Sequence, residues 1–448
     1  MPSQPDSLRI AWLVYRGNPY CGGQGVYTRY LANELTQLGH QITVFSGQPY
    51  PELIDPDQLQ RVPSMDLYRP ENPFRVPWPW EFKTSIDLQE FAIMCAAGFP
   101  EPYTFSLRAR RLLEPRRADF DLIHDNQCLG SGLLGMMDDG WPVLATLHHP
   151  ITVDRDLDLE HATSAWRRFT LRRWYGFLGM QMKVARAIPR VVTVSESSRR
   201  DIIKQMDVRS DRLHIVPVGV DPSVFHPMPE IARVPGRLMT TTSSDVPMKG
   251  LIPLLEALAK IRTERDDAEL VIIGKPKGKS KIPGIIDRLG LTGAVRYVSG
   301  VSTERIVELY AEAEVAVVPS LYEGFSLPAV EAMACGVPLV ATTGGALPEV
   351  VGSDGETGLL VPPGDSGALA TTLLRALGDA ELRARIGAAG RKRALDNFTW
   401  RQTAIGTVEN YRALLDSLGP HGGRERAVPV PPVDDGASAS ERRGQGGC

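Results

Sequence analysis

The sequence has few cysteines, no long apolar run and no strong excess of charge of either sign. Its five cysteines are scattered without a C-x-x-C pair, which excludes the common zinc and redox motifs and fits reduced thiols. No apolar stretch approaches the roughly 18 residues that cross a bilayer, and the polar start of the chain predicts no signal peptide. The net charge of −3 argues against a dedicated nucleic-acid binder. We therefore expect a cytoplasmic protein, at most in peripheral contact with a membrane surface.

What the sequence does contain is a regular alternation of strand-like apolar runs and helical patterns, typical of parallel α/β architecture. The 448 residues suffice for two domains that each bury a core. The predicted strands are 9–15, 41–45, 121–124, 143–147, 191–194 and 214–218 in the first half, and 238–242, 270–273, 295–298, 315–319, 338–341 and 358–361 in the second. We predict a first domain over 1–219, a linker over 220–236, a second domain over 237–400, a helix over 401–418 and a disordered tail over 419–448.

Residues 49–115 interrupt this alternation. They are rich in proline and aromatic side chains, as in NPFRVPWPWEF. We interpret them as an insertion of loops with a helix or two, and such long insertions in α/β domains are more often functional than not.

A glycine-rich loop, GNPYCGGQG, follows the first predicted strand. Gly22 and Gly23 would let backbone N–H groups approach a phosphate at the start of the next helix. A dinucleotide fingerprint fails here, because the G-x-G-x-x-G register from Gly23 ends on Thr28 and the second strand ends without a carboxylate. A purely structural turn stays open as the alternative.

The segment EGFSLPAVE places two glutamates eight positions apart, at a strand exit and on the helix that follows. Eight residues at 100° each return to nearly the same helix face, so Glu323 and Glu331 both face the same cleft. Carboxylates accept hydrogen bonds from sugar hydroxyls, and the free N–H groups of a helix start suit a diphosphate. Paired glutamates are usually a solvated face, but this helix is otherwise apolar and therefore buried.

EGFSLPAVEAMACGVPLVATTGGALPEVV, followed by GETGLLVPPGD, resembles family 4 of the retaining glycosyltransferases over about residues 8–418. The resemblance implies a GT-B fold: two doubly wound Rossmann-like domains face each other across a cleft, and the helix 401–418 crosses back to the first domain. It also implies a nucleotide-sugar donor, UDP- or GDP-linked, with no required cofactor and no metal. None of the motifs that carry the resemblance contains a D-x-D type acidic pair to hold one.

The resemblance also implies roles for single residues. Glu323 would accept hydrogen bonds from the donor sugar and Glu331 from the ribose, while Lys249 would neutralise the leaving diphosphate. His148, in VLATLHHP, would lie beside the donor sugar, with the neighbouring His149 as the alternative register. The backbone amides expected to meet sugar and phosphate are those of Phe325, Ser326 and Leu327.

The chain departs from the family pattern where an arginine normally precedes the lysine. Ser243 and Ser244 stand there, and hydroxyls can bind a phosphate but bring no charge. Four nearby lysines could reach the cleft or lie in a solvated loop; they are Lys275, Lys277, Lys279 and Lys281. On the acceptor side, the strand end DLIHDNQ offers His124 and Asp125 as weak candidates.

The segment AWRRFTLRRWYGF places four aromatic side chains in one sector of a helix and arginines opposite. This pattern fits a membrane-surface or lipid-acceptor helix, or a core-packed helix with its arginines in water. The aromatic positions are Trp166, Phe169, Trp174 and Phe177.

We expect a retaining hexosyltransferase that acts on an unknown small-molecule, glycan or lipid acceptor. Two alternatives stay open: a sugar-nucleotide epimerase or hydrolase on the same fold, and a non-catalytic sugar-nucleotide-binding subunit. The absent arginine favours the latter, and the presence of both glutamates, Lys249 and His148 speaks against it.

Overall fold

The structure is a computed structural model that describes residues 7–18, 23–69, 71–160, 162, 164–242, 246–275 and 280–419. Two parallel sheets form its centre. The first runs in the order β3-β2-β1-β4-β5-β6-β7, and the second in the order β10-β9-β8-β11-β12-β13. The strands are β1 (Arg9–Val14), β2 (Gln41–Ser46), β3 (Leu59–Arg61), β4 (Leu122–Asn126), β5 (Val143–Leu147), β6 (Arg190–Thr193), β7 (Leu213–Ile215), β8 (Arg237–Thr241), β9 (Glu269–Ile273), β10 (Val295–Val298), β11 (Val315–Val318), β12 (Leu339–Thr342) and β13 (Leu359–Val361).

Helices connect these strands and cover both faces of each sheet. Those of the first half are α1 (Gln24–Gln37), α2 (Ser85–Cys95), α3 (Glu101–Leu113), α4 (Gly132–Asp138), α5 (Thr152–Glu160), α6 (Ala165–Trp174), α7 (Leu178–Ala187) and α8 (Glu196–Met206). Those of the second half are α9 (Leu251–Ile261), α10 (Ile282–Arg288), α11 (Thr303–Glu312), α12 (Leu327–Ala334), α13 (Leu347–Val351), α14 (Ser366–Gly378), α15 (Ala380–Asn397) and α16 (Trp400–Ser417).

The central strands are apolar because helices bury both of their faces. Every residue of β5 (VLATL) and of β11 (VAVV) is buried. In the first sheet β1 lies between β2 and β4, with Trp12 beside Val44 and His124. This arrangement confirms the predicted α/β fold with two doubly wound domains.

The C-terminal helix α16 crosses back to the first domain, as the resemblance implied. Its first residue, Trp400, is buried and stacks on Tyr30 of α1 with ring centroids 5.4 Å apart. Just before the helix, Thr399 forms a β-bridge with Val220, where the chain leaves the first domain. The helix therefore holds the two halves of the chain together.

The insertion 49–115 contains α2, α3 and the short strand β3, which pairs with β2 at the edge of the first sheet. The sequence predicted the helices but not this strand. Its three residues, LQR, include two that are exposed, so they carry no apolar run.

The aromatic segment does not form the single helix that its pattern predicts. Helix α6 ends at Trp174, and residues 175–177 form a separate 3-10 turn. Trp166 and Phe169 are exposed, so the interpretation as a core-packed helix is wrong for them, while Trp174 and Phe177 pack on Phe99. No helix in the described part of the chain combines the length and apolar character that spanning a membrane requires.

Candidate active site

The two domains meet where the loop after β5 approaches the loop after β11. The Ser198 hydroxyl on α8 donates to the His148 carbonyl at 2.9 Å and to the Gly324 carbonyl at 3.1 Å. A side chain at Gly324 would place its Cβ only 3.3 Å from that same His148 oxygen. A side chain at Gly324 would therefore require its neighbours to shift by a few tenths of an ångström. Ligands of doubly wound sheets bind at this carboxyl edge.

Glu323 and Lys249 form an ion pair at this meeting point. Lys249 Nζ lies 2.8 Å and 3.0 Å from the two Glu323 carboxylate oxygens, and the Ser320 hydroxyl donates to one of them at 2.7 Å. The Glu323 side chain is mostly buried, whereas that of Lys249 is about one-third exposed. The pair thus fixes the carboxylate and leaves part of the ammonium group open to a ligand.

Glycines shape the backbone around this pair. Gly250 follows Lys249 with φ of +65°, and a Cβ there would lie 1.9 Å from the Pro319 carbonyl oxygen. Gly345 has φ of +62°, and its Cβ would lie 2.2 Å from the Glu323 carbonyl oxygen. Only glycine combines positive φ with this closeness at no steric cost. Both ends of the Lys249–Glu323 pair therefore depend on glycine.

The start of α12 supplies open backbone donors beside Glu323. Ser326 precedes the helix with φ of +104°, a conformation that costs about 1–3 kcal/mol in a residue with a side chain. Its hydroxyl is buried without a hydrogen-bond partner. Phe325 is buried and packs edge-on against Phe398, and Leu327 opens the helix. A helix start that leaves a buried hydroxyl unpaired suits an anion.

Glu331 lies on the same helix, about one turn beyond Leu327. Tyr310 donates to its carboxylate at 3.3 Å, and burial raises the pKa of Glu331 to about 7. No cation is paired with Glu331 among the described residues. The Glu331 carboxyl group therefore remains able to accept hydrogen bonds from a ligand, because no ion pair occupies it.

His148 lies across the cleft, in a polar network that sets its tautomer. Its Nε2 is 2.8 Å from Asn126 Oδ1, while the Asn126 amide nitrogen donates to Thr28 at 3.1 Å. The Asn126 oxygen thus accepts from Nε2–H, which leaves Nδ1 as an acceptor. Burial, aided by the neighbouring His149, lowers the pKa of His148 to about 3. His148 is therefore a neutral group at physiological pH.

His149, the alternative register, has a different environment. Its Nε2 lies 3.0 Å from the Asp154 carboxylate on α5, and the two side chains are 39% and 44% exposed. The His149 ring thus contacts a residue of the first domain at the protein surface. The ring of His148, and not that of His149, therefore joins the hydrogen-bond network formed by Asn126 and Thr28 of α1.

The two acceptor-side candidates from the sequence, His124 and Asp125, are both buried within the first domain. His124 is fully buried, with Nδ1 2.6 Å from the Tyr411 hydroxyl and Nε2 2.7 Å from the Thr146 hydroxyl. Burial lowers its pKa to about 3. Asp125 is also fully buried and accepts from the Leu129 backbone at 2.9 Å, and burial raises its pKa to about 7. Both residues thus hold elements together.

Three of the predicted donor-site residues lie outside the described part of the chain. They are Gly22, Ser243 and Ser244. Gly23 is described: it precedes α1 with φ of +68°, as a glycine at a tight turn would. Of the four lysines, Lys277 and Lys279 also lie outside the described residues.

Several residues at the domain junction were missed by sequence reasoning. Gln127 binds the His148 amide at 2.6 Å and the His149 carbonyl at 2.8 Å. Glu349 accepts from the backbone amides of Glu196 and Ser197, at 2.7 Å and 2.8 Å, at the start of α8. Gln127 could have been found because it ends the segment DLIHDNQ. Glu349 lies in GGALPEVV, a segment that carries the resemblance but for which no residue role was predicted.

Within the described ranges, no group of three or more histidine, cysteine, aspartate or glutamate side chains is arranged to hold a metal ion. Of the residues that the sequence predicted for the donor site, the titratable ones at the junction are Glu323, Glu331, Lys249 and the neutral His148. This set can bind hydroxyl and phosphate groups.

Comparisons with known proteins bear on the family and the fold of the chain. The family described as "Glycosyltransferase Family 4" matches residues 21–224, and "Glycosyl transferases group 1" matches residues 234–393. An MMP alpha-(1->4)-mannosyltransferase from Mycolicibacterium hassiacum is 52% identical over 91% of this chain and 98% of its own length. A D-inositol 3-phosphate glycosyltransferase from Kineococcus radiotolerans is 28% identical over 94% of this chain and 97% of its own length.

Solved structures show the same architecture. A sucrose-phosphate synthase from Thermosynechococcus elongatus aligns with a TM-score of 0.71 at 23% identity, over 92% of this chain and all of that one. The Anabaena protein Alr3699/HepE in complex with UDP aligns with a TM-score of 0.65 at 19% identity, over 91% of this chain and all of that one. These two likenesses concern the fold. Together with the family matches and the mannosyltransferase relative, they show that the chain belongs to the family-4-like glycosyltransferases of GT-B fold.

Proposed function

We propose that this glycosyltransferase moves a mannosyl unit from a nucleotide-diphosphate mannose to a sugar acceptor, with retention of anomeric configuration. The observation that carries the proposal is the Lys249–Glu323 ion pair close to the start of α12, beside the contact in which Ser198 bonds both the His148 carbonyl and the Gly324 carbonyl. The cation and the open helix amides suit the diphosphate of a nucleotide sugar, and the fixed carboxylate suits the hydroxyls of its sugar.

In the proposed donor complex, the diphosphate lies at the start of α12. The Ser326 hydroxyl and the amides near Phe325 and Leu327 donate to it, and Lys249 supplies the positive charge. Glu323 accepts from hydroxyls of the sugar, and Glu331, further along the helix, accepts from those of the ribose. Either uridine or guanosine fits this scheme, because none of these groups contacts the base.

Catalysis in this scheme rests on positioning and on charge. The bond between the anomeric carbon and the diphosphate oxygen breaks, and the charge that builds on the leaving group is stabilised by Lys249 and the helix amides. The acceptor oxygen bonds to the anomeric carbon on the same face, and its proton passes to the departing phosphate. His148 is a poor base because its pKa is about 3, so it contributes a fixed hydrogen bond and not a proton transfer. No metal is required in this scheme.

The acceptor follows from the name of the 52% identical relative, an alpha-(1->4)-mannosyltransferase. An α-(1→4) linkage requires a sugar hydroxyl as the nucleophile. We therefore propose a glycan acceptor in preference to a lipid, and a cytoplasmic location in which nucleotide sugars are at hand and cysteines stay reduced.

The test is a panel of GDP- and UDP-linked mannose and glucose, each offered with and without a mannose-containing oligosaccharide. We expect transfer from a mannose donor that depends on the oligosaccharide, and at least a hundredfold loss for Lys249→Ala. Arg262→Ala, which removes a cation bound to the Ala268 carbonyl outside the cleft, is the control. Release of free sugar with no acceptor would favour a hydrolase, and binding without turnover would favour a non-catalytic subunit.

A further inference from the structure

A small polar cavity lies at the carboxyl edge of the first sheet, and the proposed chemistry does not use it. The segments that follow β1, β2 and β3 border it through the partly exposed side chains of Tyr15, Gln48 and Ser64, so it opens at this edge. The cavity has room for about one water-sized group. Its other polar side chains come from α3, in the insertion 49–115, and are Glu101, Thr104 and Arg108.

Glu101, the first residue of α3, presents an oxygen that lacks a hydrogen bond. Its side chain is 10% exposed, and Oε2 is buried with no hydrogen-bond partner among the described residues. Arg16 Nε lies 3.4 Å from this oxygen, without hydrogen-bond geometry. Burial raises the pKa of Glu101 to about 8, although the charge of Arg16 opposes the shift. A polar group of this kind lowers stability unless a bound molecule satisfies it.

Arg108 lines the same cavity and carries a donor without a partner. Its Nη2 donates to Asp87 at 2.6 Å and contacts Glu90, whereas Nη1 is buried and has no hydrogen-bond partner in the described part of the chain. The cavity is thus lined by an acceptor and a donor that both lack a hydrogen bond. A hydroxyl group can donate to the one and accept from the other. An anion would meet the carboxyl group of Glu101, and a cation would meet the guanidinium group of Arg108.

The start of α3 is tied to the loops that carry the active-site residues. The Cys128 thiol donates to the carbonyl of Pro102, the neighbour of Glu101, at 3.2 Å. Gln127, directly before Cys128, accepts from the His148 amide at 2.6 Å. Two hydrogen bonds therefore connect the cavity wall with the loop of His148.

The spacing of the strands places the cavity within reach of the cleft. Strand β4 is the only strand between β1 and β5 in the first sheet. Because neighbouring strands lie about 4.8 Å apart, the end of β1, followed by Tyr15 and Arg16, lies about 10 Å from the end of β5, followed by His148. The Arg16 side chain is about one-third exposed. An acceptor of a few sugar rings can therefore extend from His148 to the cavity.

We infer that Glu101, together with Arg108, binds a hydroxyl group of the acceptor sugar in this cavity and so contributes to acceptor specificity. The inference rests on the proposed function, which supplies the sugar acceptor. The bound hydroxyl is one that does not react, because the reacting hydroxyl lies at the cleft. A buried site that binds a substrate hydroxyl discriminates against an analogue without it, because the polar groups of the site are then left unpaired.

The experiment uses the full-length enzyme with its nucleotide mannose donor and an α-(1→4)-linked mannose disaccharide. Glu101→Met keeps the length of the side chain and removes both oxygens. We expect KM for the disaccharide to rise about tenfold, as the loss of one hydrogen bond in a buried site implies. The donor KM and kcat should not change. Glu101→Gln retains an oxygen acceptor and should keep most of the acceptor affinity.

Two controls separate binding from a structural role. Glu114→Met replaces an exposed glutamate directly after α3 and should change no kinetic parameter. Because Oε2 of Glu101 is buried without a hydrogen bond, Glu101→Met should not lower the thermal unfolding midpoint. A lower midpoint with an unchanged acceptor KM would overturn the inference, since Glu101 would then serve the fold alone.

A series of disaccharides, each lacking one hydroxyl other than the attacking one, identifies the bound group. Wild type should bind one of these analogues about tenfold more weakly. For that analogue Glu101→Met should cause no further loss, because the partner of Glu101 is already absent. Additive losses for every analogue would overturn the inference. An unchanged KM of Glu101→Met for the intact disaccharide would show that the cavity binds water alone, which also overturns it.

A binding measurement separates this inference from the proposed function. The disaccharide is titrated calorimetrically into wild type and Glu101→Met without donor. Binding that weakens in Glu101→Met supports the inference even if no mannose is transferred. Transfer by Glu101→Met with the wild-type acceptor KM overturns the inference and leaves the proposed function intact. A wild-type enzyme that does not bind the disaccharide overturns the inference as well.

Discussion

Single residues in the cleft differ in what they contact, so their substitutions should affect different kinetic parameters. Glu331 accepts from Tyr310 about one turn into α12, at the position proposed for the ribose, whereas Glu323 and His148 lie where the two domains meet. Groups that bind ground and transition state equally affect KM, and groups that respond to the change at the reacting centre affect kcat.

We therefore expect Glu323→Gln and His148→Ala to lower kcat about a hundredfold or more, the usual loss for one electrostatic contact in a transition state. Glu331→Gln should raise the donor KM and keep most of kcat. His149→Ala is the matched control, because its ring pairs with Asp154 on the domain surface. Steady-state kinetics on folded variants measure this. An inactive His149→Ala beside a normal His148→Ala would show that the register is wrong.

The carboxyl group of Glu331 also predicts a pH dependence. Burial raises its pKa from 4.5 to about 7, so the empty site is protonated below pH 7 and charged above it. The charged form accepts ribose hydroxyls better, so the donor KM should fall as pH rises through 7, and Glu331→Gln should remove this trend. A wild-type KM that is flat from pH 6 to 8 would contradict the assignment.

The raised pKa of Glu331 also affects the free energy of unfolding, and this effect has the opposite pH dependence from that of donor binding. Between pH 4.5 and 7 the folded chain binds a proton at Glu331 that the unfolded chain has released. This group therefore lowers stability as pH rises across that window and has no further effect above it. As pH rises towards 7, donor binding is therefore expected to strengthen while the contribution of Glu331 to the free energy of unfolding decreases.

Among the elements, α8 joins the domains through its N-terminus. Glu349 of the second domain accepts from the first two amides of α8, and Tyr322 donates to Asp201 on the same helix. A carboxylate at this end of a helix is favoured by the helix dipole. We therefore expect Glu349→Ala to loosen closure and lower kcat/KM about tenfold, with the exposed Glu356→Ala as control. Unchanged kinetics together with unchanged small-angle scattering would show that this contact does not hold the cleft closed.

Helix α16 is held to the first sheet by a buried hydrogen bond between Tyr411 and His124, 2.6 Å long. Tyr411→Phe leaves the His124 nitrogen buried without a partner, which costs about 1–3 kcal/mol. The thermal unfolding midpoint should drop while both KM values stay unchanged. Tyr103→Phe, which removes an exposed hydroxyl bond to Gln89, should leave the midpoint in place. A changed acceptor KM for Tyr411→Phe would instead indicate that His124 contributes to acceptor binding.

The strands of both sheets could be predicted to within a few residues, because buried parallel strands are apolar along their whole length. Strand β3 could not, since its LQR sequence is held only by pairing with β2. Lys249 and Glu323 could be named from their motifs. The pairing of His148 with Asn126, and of Glu349 with α8, could not, because these partners meet only when distant segments fold together.

On the scale of the whole molecule, two sheets place their carboxyl edges against each other and α16 ties them together. Ser195 and Ser198 on the first domain both donate to the Gly324 carbonyl on the second, at 2.6 Å and 3.1 Å. These two hydrogen bonds join the two domains at the cleft. Closure also excludes water, which strengthens the attraction between Lys249 and a diphosphate.

The central claim is that this cleft transfers mannose with retention and without a metal. The most direct measurement is proton NMR of the first product formed from an α-linked nucleotide mannose and a mannose oligosaccharide, in the presence of EDTA. The account predicts a new α-(1→4)-mannosidic signal that appears as the donor signal disappears, and none with Glu323→Gln on the same time scale. A β-linked first product, or transfer that appears only when magnesium or manganese replaces EDTA, would contradict it.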